Sequence, residues 1–316
     1  MENKYQEKIS VLLATYNGSR FLREQLDSIL QQTYSNFELL ICDDCSTDST
    51  YSLIEEYTHK DSRIRVFQNE QNLGFKKNFE HLLTLASCDY IALSDQDDIW
   101  TSNHLELLMD NLGKNDLVCG NAYLADGDGK STGVTLLDCS HFDFLPETQE
   151  DWFFYLLHGN VFQGAACLFR KKLIAELLPI PDSVKYHDYW LAIHAAMRGG
   201  VKYLENPILY YRQHGNNVTT NKKWNLIGKI RQAFGWKLIR QEVNARLCFL
   251  NAVQQVIADE NKKKVINEAL RYYKNTQEKF HCFHIKYFCK NYTQIYLSKN
   301  KALFIMRFVK KFFLWK

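Results

Sequence analysis

The chain of 316 residues is 46% apolar and 24% charged, which fits a globular protein with a sizeable core and excludes a disordered or fibrous one. Residues 220–316 hold 21 basic and 5 acidic side chains, a net of +16, which leaves −13 for residues 1–219 out of a total of +3. No uncharged apolar stretch approaches the roughly 18 residues of a spanning helix, and the first eight residues are too charged for a signal peptide, so the chain is expected in the cytosol.

Residues 9–14 (Ile-Ser-Val-Leu-Leu-Ala) form a short apolar run that predicts a strand, and Phe21, Leu22, Leu26, Ile29 and Leu30 follow at helical spacing. The alternation repeats, with strands over 37–42, 64–67 and 90–93. Helices between them are marked by Leu53, Ile54 and Tyr57, then by Phe79, Leu82, Leu83 and Leu85. This order implies βαβ units and an α/β fold, a mostly parallel sheet with helices on both faces. From Asp116 to Asn217 the order is less regular, with strand-like pieces near 117–123, 165–169 and 207–212 and a helix from His187. After Thr219 the pattern is helical over roughly 224–257, 262–280 and onward, with Gly228 and Gly235 as interruptions.

Polar clusters close each of the first four strands: Thr15-Tyr16-Asn17-Gly18, Asp43-Asp44 with Ser46-Thr47-Asp48, Asn72-Leu73-Gly74, and Asp95 with Asp97 and Asp98. Singly they read as turns and helix caps. In a parallel sheet, however, all four fall on the carboxyl edge, where ligands gather. Three carboxylates in four positions at the end of a buried strand are costly unless a cation arrives, and a divalent ion carrying a phosphorylated ligand is the natural candidate. Nine cysteines without a framework predict free thiols. Cys42 and Cys45 form a Cys-x-x-Cys pair, but Asp43 and Asp44 between them disfavour a thiolate, and no second pair completes a zinc site.

Together these motifs resemble the nucleotide-binding half of an inverting GT-A glycosyltransferase of family 2, a Rossmann-like fold. His187-Asp188-Tyr189-Trp190 and Tyr211-Arg212-Gln213-His214-Gly215-Asn216-Asn217 are similar to the acceptor and closing-loop motifs of bacterial rhamnosyltransferases in that family. The resemblance covers about residues 8–218. It implies a glycosyltransferase domain over 1–219, with a donor half at about 8–115 and an acceptor half at about 116–219, followed by a basic helical region over 220–316.

The resemblance also implies roles. Thr15, Tyr16 and Asn17 line the base and ribose pocket, with Asp44 accepting from a pyrimidine imide, Asp43 nearby, and Asn72 and Gly74 bordering the donor. Asp95 and Asp97, at i and i+2 of extended chain, share a face and look toward ribose and toward Mg²⁺ or Mn²⁺. Asp98 is expected to cap a helix starting near Ile99. Arg212 is expected to contact the diphosphate and His214 to ligate the metal; Lys77 reaches phosphate or lies on a solvated helix face. Asp188 is the general base, its pKa raised by burial beside Tyr189 and Trp190 and its orientation held by His187. Trp190 offers a flat face to an acceptor sugar, and Gln163 and Gly164 border that acceptor.

The implied reaction is transfer of a sugar, L-rhamnose from a dTDP donor or another sugar from a dTDP or UDP carrier, onto a glycan or lipid-linked glycan. Residues 280–316 mix aromatic and basic side chains and suit an anionic membrane surface, which places the chain peripherally on the inner face of the bacterial plasma membrane. A packed helical layer and a homodimer contact are the alternatives. Nucleic acid is not expected, because no reading motif accompanies the charge. One rival activity, a sugar nucleotidyltransferase, needs a glycine-rich loop with Arg and Lys after the first strand, unlike Thr15–Gly18. The other, a silent glycan-binding scaffold, is opposed by intact Asp95, Asp97 and Asp188.

Overall fold

A computed structural model describes residues 7–140, 142–214, 236–275, 282–301 and 304–305. Gly215, Asn216, Asn217, Gly228 and Gly235, singled out in the sequence, lie outside them, as does much of the 280–316 stretch, including residues 306–316. The elements alternate as expected through the first half: β1 (Ile9–Thr15), α1 (Leu22–Leu30), β2 (Phe37–Asp43), α2 (Thr50–Thr58), β3 (Ile64–Gln68), α3 (Phe75–Leu85) and β4 (Tyr90–Asp95). There follow β5 (Ile99–Trp100), α4 (His104–Leu112), β6 (Leu117–Ala125), β7 (Ser131–Thr135), α5 (Leu136–Ser140), α6 (Gln149–Leu156) and β8 (Cys167–Arg170). Then come α7 (Ile174–Leu177), α8 (His187–Met197), β9 (Val201–Arg212), α9 (Trp236–Val256), α10 (Glu260–Asn275) and α11 (Cys282–Tyr296).

One sheet runs in the order β3-β2-β1-β4-β8-β6-β9-β5, with β7 paired to β6. β1 pairs in parallel with both β2 and β4, and β2 with β3, as βαβ crossovers require. β8 then runs antiparallel to both β4 and β6, while β9 is parallel to β6. Val11, Leu12, Leu13, Leu39, Leu40 and Ile41 are wholly buried. Consecutive apolar residues survive in these strands because both faces are covered, so alternation is lost.

The chain divides into two compact units. The first comprises Met1–Asp138, Phe162–Ile180 and Tyr186–Thr220 and contains the sheet. The second comprises Cys139–Val161, Pro181–Lys185 and Asn221–Lys316. Its core is aromatic: Tyr272, Tyr287, Phe288, Tyr292 and Ile295 are buried, with Phe154, Tyr273, Tyr296 and Phe304 packed against them. His158 bridges two of these phenols, its Nδ1 3.0 Å from the Tyr273 hydroxyl and its Nε2 3.2 Å from that of Tyr287. Among the described residues no helix is long and apolar enough to cross a membrane.

Candidate active site

The register of the parallel strands brings the polar clusters to one level. Thr15 stands opposite Asp43, and Ala14 opposite Asp95. Thr15 Oγ1 donates to Asp43 Oδ1 at 3.1 Å, while Asp43 Oδ2 accepts the Ser46 backbone N–H at 2.9 Å. Asn17 sits in the left-handed region (φ 46°), a turn conformation that asparagine tolerates better than most residues. Its N–H donates to Ser46 Oγ at 2.9 Å and its Oδ1 accepts from the Thr47 N–H at 2.8 Å, so the loops after β1 and β2 are fastened together. Tyr16 keeps its ring exposed at the edge.

Sequence reasoning passes over Gln96, the residue between the two carboxylates. Its Oε1 accepts the Tyr16 N–H at 2.8 Å and its Nε2 donates to the Tyr16 carbonyl at 3.0 Å, a paired amide bridge across the end of the sheet. A Cβ on Gly18 would stand 2.1 Å from Gln96 Oε1, so that glycine makes room for the bridge. β4 ends at Asp95, and Gln96 and Asp97 form a turn, so the extended chain expected to put Asp95 and Asp97 on one face is not found, and no local pattern marks Gln96.

Asp44 ties the second cluster to the third. Its Oδ1 accepts from Asn69 Nδ2 at 2.8 Å and from the Leu73 N–H at 2.9 Å, and its Oδ2 accepts the Gly74 N–H at 2.8 Å. Asn72 Nδ2 donates to the Asp44 carbonyl at 3.4 Å, and Gly74, at φ 81°, turns the chain into α3. Lys77 differs from the phosphate expectation: its ammonium is paired with Glu80 at 2.7 Å, which leaves it on the helix face. Burial and the charges of Asp44 and Asp43 push the Cys42 thiol up to about 12, which removes thiolate chemistry there.

Burial, together with the charges of Asp97 and Asp188, pushes the Asp95 carboxyl up to about 7. Asp97 Oδ2 lies 2.7 Å from His214 Nε2, and the His214 ring stacks on Phe21 with centroids 4.6 Å apart. Asp98 does not cap a helix. Ile99 and Trp100 form β5, paired with Tyr210 and Leu209 of β9, and α4 starts at His104. Asp98 instead accepts the Arg212 backbone N–H at 3.2 Å, and burial drives its carboxyl well above the usual range.

Arg212 is also corrected. It is 1% exposed, and its guanidinium donates to the Asp97 carbonyl at 2.9 Å, to the Gly127 carbonyl at 3.0 Å and to Glu24 Oε2. Each of its three guanidinium nitrogens is thus held by an acceptor of the protein itself, where contact with a diphosphate was expected.

Asp188 lies in the first turn of α8, where the helix end favours negative charge. The Gly164 N–H donates to its Oδ2 at 3.3 Å and the Tyr189 N–H to its Oδ1 at 2.6 Å. Burial outweighs these bonds and pushes its carboxyl up to about 6. Gly164 therefore borders Asp188, and Gln163, next to it in the chain, has in its Oε1 a buried acceptor without a hydrogen bond. His187 does not orient Asp188: neither ring nitrogen makes a hydrogen bond, the ring stacks on Phe79 at 4.2 Å, and burial pushes its pKa down to about 4. A Cβ on Gly164 would lie 3.1 Å from His187 Nε2, so both border the same small space.

Trp190 is corrected too, being 1% exposed with its indole N–H donating to the Leu177 carbonyl at 3.1 Å. It is core and offers no face to a sugar. Trp190→Ala is accordingly expected to cost about 3–5 kcal/mol in urea unfolding; weakened acceptor binding at unchanged stability would contradict that assignment.

Among the described residues no three His, Cys, Asp or Glu side chains converge as a ready metal cage. Asp97 and His214 nonetheless present one carboxylate oxygen and one imidazole nitrogen 2.7 Å apart. That pair fits a cation whose remaining ligands come from a bound diphosphate, the usual arrangement for Mg²⁺ and Mn²⁺.

Comparison with known proteins agrees with this geometry. Residues 10–178 match the Glycosyl transferase family 2 domain. The dTDP-rhamnosyl transferase RfbG of Shigella flexneri is 30% identical over 251 residues, covering 74% of this chain and 84% of that protein. A crystal structure of S. aureus TarS in complex with UDP-GlcNAc superposes with a TM-score of 0.60 at 17% identity, covering 96% of this chain and 81% of that one. The mannosyltransferase PcManGT from Pyrobaculum calidifontis, in complex with GDP-Man and Mn²⁺, superposes at 0.54 with 16% identity, covering 98% and 85%. The fold is therefore GT-A, and the chain belongs to glycosyl transferase family 2 and is a glycosyltransferase.

Proposed function

We propose that the protein is an inverting, metal-dependent glycosyltransferase that moves a sugar from a nucleoside diphosphate carrier to a hydroxyl of a glycan. The observation that carries this reading is geometric: β4, which ends at Asp95, packs against the turn at Gly164–Ala166, and the Gly164 N–H holds Asp188, so the carboxylates of the two halves are brought to one edge of the sheet. Asp97 and His214 would hold Mg²⁺ or Mn²⁺. When bound, the cation supplies Lewis-acid stabilisation of the leaving diphosphate. Thr15, Tyr16, Asn17, Asp43 and Asn72 would surround the base and ribose; Asp44, expected to accept from a pyrimidine imide, has both oxygens taken by Asn69, Leu73 and Gly74 and instead shapes the loop that borders them. Asp188 takes the proton of the acceptor hydroxyl as the hydroxyl oxygen bonds to the anomeric carbon; the bond from that carbon to the diphosphate breaks, and the nucleoside diphosphate leaves with the electron pair. Gln163 and His187 face the acceptor with uncharged polar atoms.

L-Rhamnose carried by dTDP is the donor we favour, on the likeness to RfbG. The test is a panel of dTDP-, UDP- and GDP-sugars with Mn²⁺, following product release. Nucleoside diphosphate release fastest from dTDP-rhamnose is expected. Pyrophosphate release would instead mark a nucleotidyltransferase, and tight binding without turnover a scaffold.

The acceptor we propose is lipid-linked and met at the cytoplasmic membrane face. Support comes from the net charge of +16 over residues 220–316 and from the exposure of Lys286, Lys290, Lys299 and Lys301. Truncation is a poor test, because Tyr287, Phe288 and Tyr292 belong to the core of their unit. Changing those four lysines to Gln is expected to weaken binding to anionic vesicles about tenfold or more, at about 1 kcal/mol per charge near the surface. Unchanged sedimentation with vesicles would remove the membrane from the account.

A further inference from the structure

Arg212 and Glu24 form a feature that the reaction above does not use. Glu24 belongs to the first turn of α1, is 55% exposed in its side chain, and pairs with a guanidinium that is 2% exposed. The same guanidinium reaches the Asp97 carbonyl at 2.9 Å and the Gly127 carbonyl at 3.0 Å. Gly129 keeps the hairpin close, since a Cβ there would stand 3.2 Å from both terminal guanidinium nitrogens. Phe21, one turn before Glu24, carries Arg212 on its ring at 4.9 Å and stacks His214 at 4.6 Å. The backbone N–H of Arg212 also holds Asp98 at 3.2 Å. Three separate pieces of chain thus meet on one side chain; one of them carries Asp97 and another, through Phe21, stacks His214.

We propose that Arg212 is a positioning residue, braced by Glu24, that sets the distance between Asp97 and His214 and so their joint grip on the divalent cation. This rests on the assignment of that pair as the cation site. An arginine suits the task because its rigid fork reaches three acceptors in fixed directions, which a lysine cannot do. Partners behind a metal ligand commonly alter metal affinity by about 10- to 100-fold. An exposed ion pair with no such link is worth little. Glu24 therefore discriminates: it touches neither the cation pair nor any proposed substrate contact.

The test uses the full chain as wild type, Glu24→Gln, Arg212→Lys and the double variant. Mn²⁺ binding is followed by electron paramagnetic resonance in the presence of dTDP, and dTDP binding without metal by calorimetry. Glu24→Gln is expected to melt like wild type and bind dTDP alone within about twofold, yet hold Mn²⁺ about tenfold more weakly. The double variant is expected to be no worse than Arg212→Lys, because both changes remove one brace. Wild-type Mn²⁺ affinity in Glu24→Gln overturns the proposal, as do strictly additive losses. Loss of metal-free dTDP affinity in Arg212→Lys would instead make the guanidinium a direct phosphate ligand, which also overturns it. Should Arg212→Lys not fold, Glu24→Gln alone decides. Failure of the wild type to bind Mn²⁺ with dTDP would strike at the cation site itself, a distinct result.

Discussion

Asp188→Asn is expected to lower turnover by about a thousandfold, the range for loss of a general base, while donor affinity stays within about twofold. The amide keeps the size of the carboxylate and one oxygen to accept an N–H, so one of the two bonds from the Gly164 and Tyr189 N–H groups is kept while the proton acceptor is lost. The same substitution is expected to stabilise the free protein. The Asp188 carboxyl is pushed up to about 6 by burial, so the folded state binds its proton more tightly than the unfolded chain does. The stability this lends is complete below about pH 4 and is lost as pH rises through about 6, beyond which a buried charge is carried. Each tenfold in proton affinity is worth about 1.4 kcal/mol, so the variant is expected to gain about 2–3 kcal/mol at pH 8 and nothing at pH 4. Urea unfolding at both pH values checks the sign. A variant that turns over at near wild-type rate would move the base to another residue.

Asp97→Ala is expected to reduce activity by about 10²–10³-fold or more, since on the proposed reading several kcal/mol of stabilisation of the leaving diphosphate would depend on a cation that Asp97 helps to hold. His214 loses the partner at 2.7 Å and keeps its stacking on Phe21. A chelator should reproduce the loss in the wild type and add nothing to the variant. Full activity of the wild type in chelator would take the metal out of the account; activity lost in the variant but insensitive to chelator would leave Asp97 with a role in binding only.

Much of the sheet is legible in the chain because buried parallel strands need continuous apolar runs. Ile9–Thr15 and Phe37–Asp43 announce themselves by composition, and the polar residues that end them stand at one level once the strands pair. The carboxylates at 95 and 97 are noticeable because charge at the end of an apolar run is costly, whereas Asp188 follows a polar stretch and is singled out only by the resemblance of His187-Asp188-Tyr189-Trp190. What sequence does not carry is the direction of a side chain set by distant contacts. Arg212 and Trp190 look like ligand residues among their neighbours, yet an acceptor 188 residues away takes the guanidinium and Leu177 takes the indole. Asp98 precedes β-prone Ile99 and Trp100, whose partners in β9 lie more than a hundred positions on, so strand pairing wins over the local signal for a cap. Gln96 escaped because a glutamine between two aspartates has no chemistry of its own until Tyr16 is brought against it.

The central claim is a single displacement, with Asp188 taking the acceptor proton on the side opposite a diphosphate held near Asp97. The anomeric configuration of the product against that of the donor, read by proton NMR on freshly formed glycoside, tests it most directly. Inversion at the anomeric carbon is predicted. Retention would require a covalent intermediate on a second nucleophile and would contradict the arrangement of Asp95, Asp97 and Asp188 described above.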